Sequence, residues 1–139
     1  MACHAASCFL RSDLLQLGFA AMVAILFIQS GLDKIFNWKD NKQWLTGHFA
    51  NSSFKGLAPL LLPVITVAEM AAGVLCALAF VAELLGRGTC LGVVGMALGM
   101  GCIVLLFLGQ RVAKEYAGAA SLVPYFLLCA AGLYVFSPC

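Results

Sequence analysis

Apolar positions run along the chain in four long blocks, roughly residues 14–36, 58–82, 89–110 and 119–136, and the polar positions fall almost wholly between them. Each block approaches or exceeds the about 20 mainly apolar residues that a helix needs to cross the hydrocarbon of a bilayer. The links GRG at 86–88 and RVAKEYAG at 111–118 are short, which makes successive helices antiparallel neighbours. The first connection, WKDNKQWLTGHFANSSFKG, is longer and mixes Trp38, Trp44, Phe49 and Phe54 with Lys39, Lys42 and Lys55. Aromatic rings at headgroup level with lysines reaching water predict a short interfacial helix or turn over residues 40–50. Pro59 and Pro63 open the second span and Pro124 lies near the start of the fourth, where a missing N–H has no intrahelical partner to lose. The expected architecture is one all-α domain over residues 1–139. It is an integral membrane four-helix bundle, up-down-up-down, with a short interfacial segment between helices 1 and 2.

Composition strengthens this reading. The 139 residues are 63% hydrophobic and 10% charged, against about 25% charged in a soluble domain. A domain of this size leaves much of its surface exposed, and too few polar residues are present to cover it. A net charge of +2, scattered along the chain, excludes a nucleic-acid surface. The apolar run after Arg11 is too long for the core of a secretory signal, so the first helix is expected to stay.

Cys76, Cys102 and Cys129 lie inside apolar runs and read as small buried hydrophobes. Cys3, His4 and Cys8 do not form a C-x-x-C-H haem motif and would lack a fourth zinc ligand, so neither a metal nor an intrinsic cofactor is expected. Counting cations by side gives Arg11 and Arg87 against Lys34, Lys39, Lys42, Lys55, Arg111 and Lys114. Six against two places loops 1 and 3 in the cytoplasm and both termini outside, with Cys3, Cys8, Cys90 and Cys139 on that outer face. Bridges Cys3–Cys139 and Cys8–Cys90 are left open, because a disulfide requires a geometry that sequence does not fix.

Glu69 is the residue least compatible with a passive span, set in PVITVAEMAAGVLCA. An acid at the centre of a membrane helix costs about 2.5–3.5 kcal/mol on insertion scales, so it is expected to face the bundle interior, protonated or paired. Helical spacing aligns Glu69 with Gly73, Cys76, Phe80 and Glu83, and on the first span it aligns Gly18, Met22, Leu26, Gln29, Asp33 and Phe36. Taking Phe36 as the end of the first helix and Pro63 as the start of the second, Glu69 and Gln29 each lie about 9–11 Å below the same boundary at 1.5 Å per residue. Gln29, Asp33, Lys34 and Glu69 therefore form a candidate polar cluster for a ligand or a proton. The alternative is an interfacial lysine beside a capping acid at the negative end of the helix dipole. On the third span Gly88, Gly92, Gly95 and Gly99 share one face, suited to close helix approach. The short links already hold the helices together, which favours a partner subunit on that face. Filling from within by Leu133 or Tyr125 is the other option.

The stretch FIQSGLDKIFNW, the acid in AEMAAGVL, and YAGAA leading into a Pro-Tyr-Phe helix resemble the DoxX family of small bacterial four-helix membrane proteins. The similarity is strongest at Ser30, Gly31, Lys34 and Glu69. It implies a bacterial inner-membrane location and a redox setting, since some relatives form the membrane subunit of a thiosulfate:quinone oxidoreductase and others belong to redox-stress complexes. The related vitamin K epoxide reductase type of bundle uses a C-x-x-C pair, which this sequence lacks. The expected function is an accessory subunit of a redox or respiratory-type membrane complex, contacting quinone or lipid through the polar cluster and meeting other membrane subunits. An oxidoreductase subunit of the thiosulfate:quinone type and a small proton-linked transporter are the alternatives. No catalytic residue is assigned.

Overall fold

The computed structural model describes residues 2–50 and 56–137, with side chains from Leu10 onward except those of His48 and Ala58. Phe54 and Lys55, and the side chains of Cys3, His4, Cys8 and Cys139, lie outside the described residues. Six helices follow one another: α1 (Ala2–Phe36), α2 (Trp38–His48), α3 (Ala58–Leu84), α4 (Cys90–Val112), α5 (Tyr116–Ser121) and α6 (Val123–Phe136). Four segments are long and apolar enough to cross a membrane: Leu10–Phe36, Pro59–Leu84, Cys90–Val112 and Tyr116–Phe136. At 1.5 Å per residue they measure about 32–40 Å, comfortably more than the roughly 30 Å hydrocarbon core.

The helix ends differ from the apolar blocks for local reasons. No glycine or proline interrupts residues 2–17, so α1 continues well before its apolar part begins. Pro59 stands in the first turn of α3, as its missing N–H suggests. Pro63, by contrast, is inside the helix, where it removes the donor for the carbonyl four residues earlier. The fourth span is two helices, because Leu122 interrupts the chain just before Pro124. Both sharp links close on the helix before them in the same way. Arg87 N–H bonds to Ala82 C=O and Gly86 N–H to Glu83 C=O, with Gly86 at φ +64°. Glu115 N–H bonds to Gln110 C=O and Lys114 N–H to Arg111 C=O, with Lys114 at φ 62°. These are Schellman closures, one with the expected glycine in the left-handed position and one with a lysine in its place.

The long helices pack as a ring: α1 against α3, α3 against α4, α4 against α6, and α6 back on α1. The centre is filled by Phe27, Cys76, Met96, Cys102, Cys129 and Phe136, all essentially inaccessible. Helix α2 touches α1 and α3, and buried Phe49 just after it faces Gly109 near the end of α4.

Three of the four glycines expected to greet a partner are filled from inside. A methyl group on Gly92 would strike the Phe136 ring; on Gly95 it would lie 2.7 Å from Cys76 Sγ; on Gly99 it would lie 2.8 Å from the Phe27 ring. The fillers come from α6, α3 and α1, so this face of α4 is occupied and a partner subunit does not reach it there. Neither filler named from the sequence serves: Tyr125 is exposed and Leu133 is only part-buried, while Phe136 takes the place. Gly88 lies in the α3–α4 link at φ +96° with open space around it, apart from the packed face.

The closest approach of backbones is between α1 and α3. A methyl group on Gly73 would sit 2.9 Å from Ile28 N and 3.3 Å from Phe27 C. Backbone atoms cannot swing aside as a side chain can, so Gly73→Ala is expected to cost about 1–3 kcal/mol. Gly101→Ala, where nothing lies within 4 Å, should be neutral or stabilising by about 0.4–1 kcal/mol. Thermal or denaturant unfolding of the two variants in detergent checks the difference.

Candidate functional site

Ser30 and Lys34 are four residues apart on α1, hence on one face of the helix, and that face is turned toward Glu69 of α3. The Lys34 ammonium lies 2.9 Å from Glu69 Oε2; the glutamate side chain is 1% exposed and the lysine side chain 19%. Lys34 Nζ donates to Ser30 Oγ at 2.8 Å, and Ser30 Oγ donates to Glu69 Oε1 at 3.2 Å. The hydroxyl thus accepts from the cation and gives its single proton to the anion. The contact of Glu69 Oε2 with Lys34 is an ion pair. The three side chains together carry no net charge, which makes an acid tolerable in an apolar span.

The expected cluster divides into two. Lys34 and Glu69 meet inside. Gln29 and Asp33 lie on the exposed side of α1. Gln29 has no hydrogen-bond partner among the described residues, and Asp33 Oδ1 accepts from Asn37 Nδ2 at 2.8 Å at the end of the helix. Five residues of α-helix turn Gln29 about 140° away from Lys34, so the two cannot both face α3. The stripe Gly18, Met22, Leu26, Gln29, Asp33 and Phe36 is accordingly not the one opposite Glu69. Ser30, which stood out only through the family resemblance, is the missing third member. Its signal was a hydroxyl one turn before the lysine, the spacing at which two helix side chains bond to each other.

Chemically, the arrangement is a sealed ion pair with one accessible edge. Among the described residues Glu69 makes polar contact with Ser30 and Lys34, and both of these are partly exposed, Ser30 beside a groove that α1 and α3 line. An oxygen of a polar headgroup would therefore be met by the N–H donors of the ammonium, whereas a proton would be taken up by the carboxylate.

Comparison of the chain with protein-family models, with curated proteins and with solved structures finds no match.

Removing one member of a buried pair strands the other charge. Lys34→Met is expected to destabilise the fold by about 3 kcal/mol, at the low end of the range for a buried pair because the carboxyl can take up a proton. The double variant Lys34→Met with Glu69→Met should recover most of that loss. Unfolding of both single variants and the double variant measures the coupling, and additive losses would show that the pair is not a unit.

Proposed function

We propose that the chain is a multi-pass membrane protein, an up-down-up-down four-helix bundle, and that it serves as an accessory subunit of a redox-type complex in a bacterial inner membrane. One observation carries this reading: a nearly inaccessible carboxylate held by a lysine in the middle of four helices suited to lipid. Such a pair is costly to place in an apolar span and persists where it serves a polar contact. The redox setting rests on the resemblance to the DoxX family. In this reading the partly open Lys34 ammonium receives the oxygen of a quinone ring or a lipid headgroup, and Ser30 and Glu69 hold the ammonium in position. The chain's own chemistry is binding and orientation, with electrons passing through partner subunits.

Orientation follows the same physics. With Lys34 engaged inside, five cations remain in loops 1 and 3, namely Lys39, Lys42, Lys55, Arg111 and Lys114, against Arg11 and Arg87. This bias favours cytoplasmic loops and outer termini. Cys90, at the start of α4, is disulfide-bonded, while buried Cys76, Cys102 and Cys129 are free. A disulfide persists in an oxidising compartment, and Cys90 belongs to the face that the cation count puts outside.

Purification in mild detergent should yield the chain with bound quinone or phospholipid and with redox subunits. The double variant Lys34→Met with Glu69→Met, in which most of the stability is restored, should release the bound small molecule. Recovery of the wild-type chain free of both would refute the accessory role. For orientation, intact cells treated with a membrane-impermeant reductant and then an impermeant maleimide should become labelled at Cys90. Labelling that appears only after lysis would invert the topology.

A further inference from the structure

The outward faces of the long helices are not alike. On α3 they carry Val64, Val67, Val74 and Leu78, and on α4 Leu91, Val94, Leu105 and Leu108, side chains well suited to acyl chains. Helix α1 differs. Its outward face, like theirs, repeats every three to four residues, through Gly18, Met22, Ile25, Gln29, Leu32 and Phe36 with exposed Asp33 beside them, and the difference is the primary amide that stands among them. Gln29 is seven residues before the end of α1, about 10 Å inside it at 1.5 Å per residue. Facing lipid, its two donors and its acceptor would have nothing to bond. A groove of about 1010 Å³ runs beside it, with Ile25, Gln29, Leu32 and Phe36 on the α1 side and Ala77 and Phe80 on the α3 side.

We propose that this face of α1 is a homodimer interface, in which two copies of α1 lie parallel about a two-fold axis along the membrane normal and the two Gln29 side chains bond to each other. The inference rests on the membrane-spanning reading above. A carboxamide is self-complementary, because it holds both donor and acceptor, so a second Gln29 supplies what the first lacks. All copies of a membrane protein insert the same way round, so two α1 helices related by such an axis are parallel and identical residues meet at identical depth. Positions spaced by three and four form the seam of a left-handed helix pair, in which one polar position fixes the register. Gly18 lets the backbones approach near one end of the seam, and the exposed Phe36 ring closes it at the other. An acyl chain would leave the amide unanswered. A second copy answers it without any further residue.

The experiment begins with membranes washed in alkaline carbonate. Release of the chain at that step would refute the membrane reading itself, separately from the dimer. On the retained fraction, oxidative cross-linking of Ile25→Cys should give a dimer of this chain beyond the wild-type background, whereas Val74→Cys on α3 should not. Sedimentation in detergent should show a monomer–dimer equilibrium for the wild type. Because Gln29 is exposed and takes no part in the core, Gln29→Leu should keep the same helicity and unfolding temperature. It should weaken dimerisation about 3-fold to 20-fold, the range measured for interhelical hydrogen bonds in membranes. A wild type that stays monomeric would overturn the proposal, as would equal cross-linking at positions 25 and 74, a different chain captured at position 25, or a dimer indifferent to Gln29→Leu.

Discussion

In the membrane-spanning reading Glu69 must be neutralised by a proton or met by a cation, and the cation that meets it, Lys34, lies where α1 and α3 pack together. The 2.9 Å contact between Lys34 and Glu69 lies beside a close approach of the two backbones, seen at Gly73 against Ile28 N. Two glycines allow this: Gly31 receives the Met70 side chain and Gly73 receives Ile28. Each lies within one turn of a charged member of the pair. In the proposed membrane setting, lipid supplies no hydrophobic drive toward helix association, and close packing and the ion pair together hold this crossing.

The same device continues around the ring. Small residues on one helix face large ones on the next, with Gly99 under Phe27, Gly92 under Phe136 and Gly132 against Met96. In each case a side chain fills the space that a missing Cβ leaves, which restores van der Waals contact to interior density. The three buried thiols take part as compact fillers, Cys76 against Gly95 and Cys129 near Gly99. Among the described residues the charged pair of the interior is Lys34 with Glu69, joined by Ser30, while buried Gln16 and Thr66 bond to backbone carbonyls.

Much of this architecture was legible in the residues. Length and apolar content located the four apolar spans to within a few residues, though not the start of α1 at Ala2 or the division of the fourth span into two helices. Depth matched Glu69 with Gln29, whereas the structure pairs it with Lys34 from the same cluster, and the glycine spacing announced a packed face. The rotation of α1 was not legible. Its apolar part is hydrophobic on every side, and neither core nor lipid selects a face by hydrophobicity alone. What orients it is the small or polar detail of Ala20, Ala24, Phe27, Ser30 and Lys34, and these read as a stripe only once the neighbours are known. The glycine face failed in another way. Spacing on one helix shows that something large must enter, and it carries no information about which chain the filler belongs to. Pro63 shows a third kind of gap, since a proline may be read as a helix start until the preceding turn is seen to be helical.

Two glutamines on α1 make the governing constraint plain. Gln16 faces inward, is 6% exposed, and donates through Nε2 to the Val135 carbonyl at 3.2 Å on α6. That bond joins the first span to the last and helps to close the ring. Gln29, thirteen residues later, is turned about 140° from it around the helix axis and finds no such acceptor among the described residues. The two amides have identical needs, and in a medium without water each must meet them with protein. Where the acceptor belongs to the same chain, the need becomes a tertiary contact. Where the chain offers none, the same need points outward, and the position of one polar side chain on an apolar helix becomes a statement about assembly.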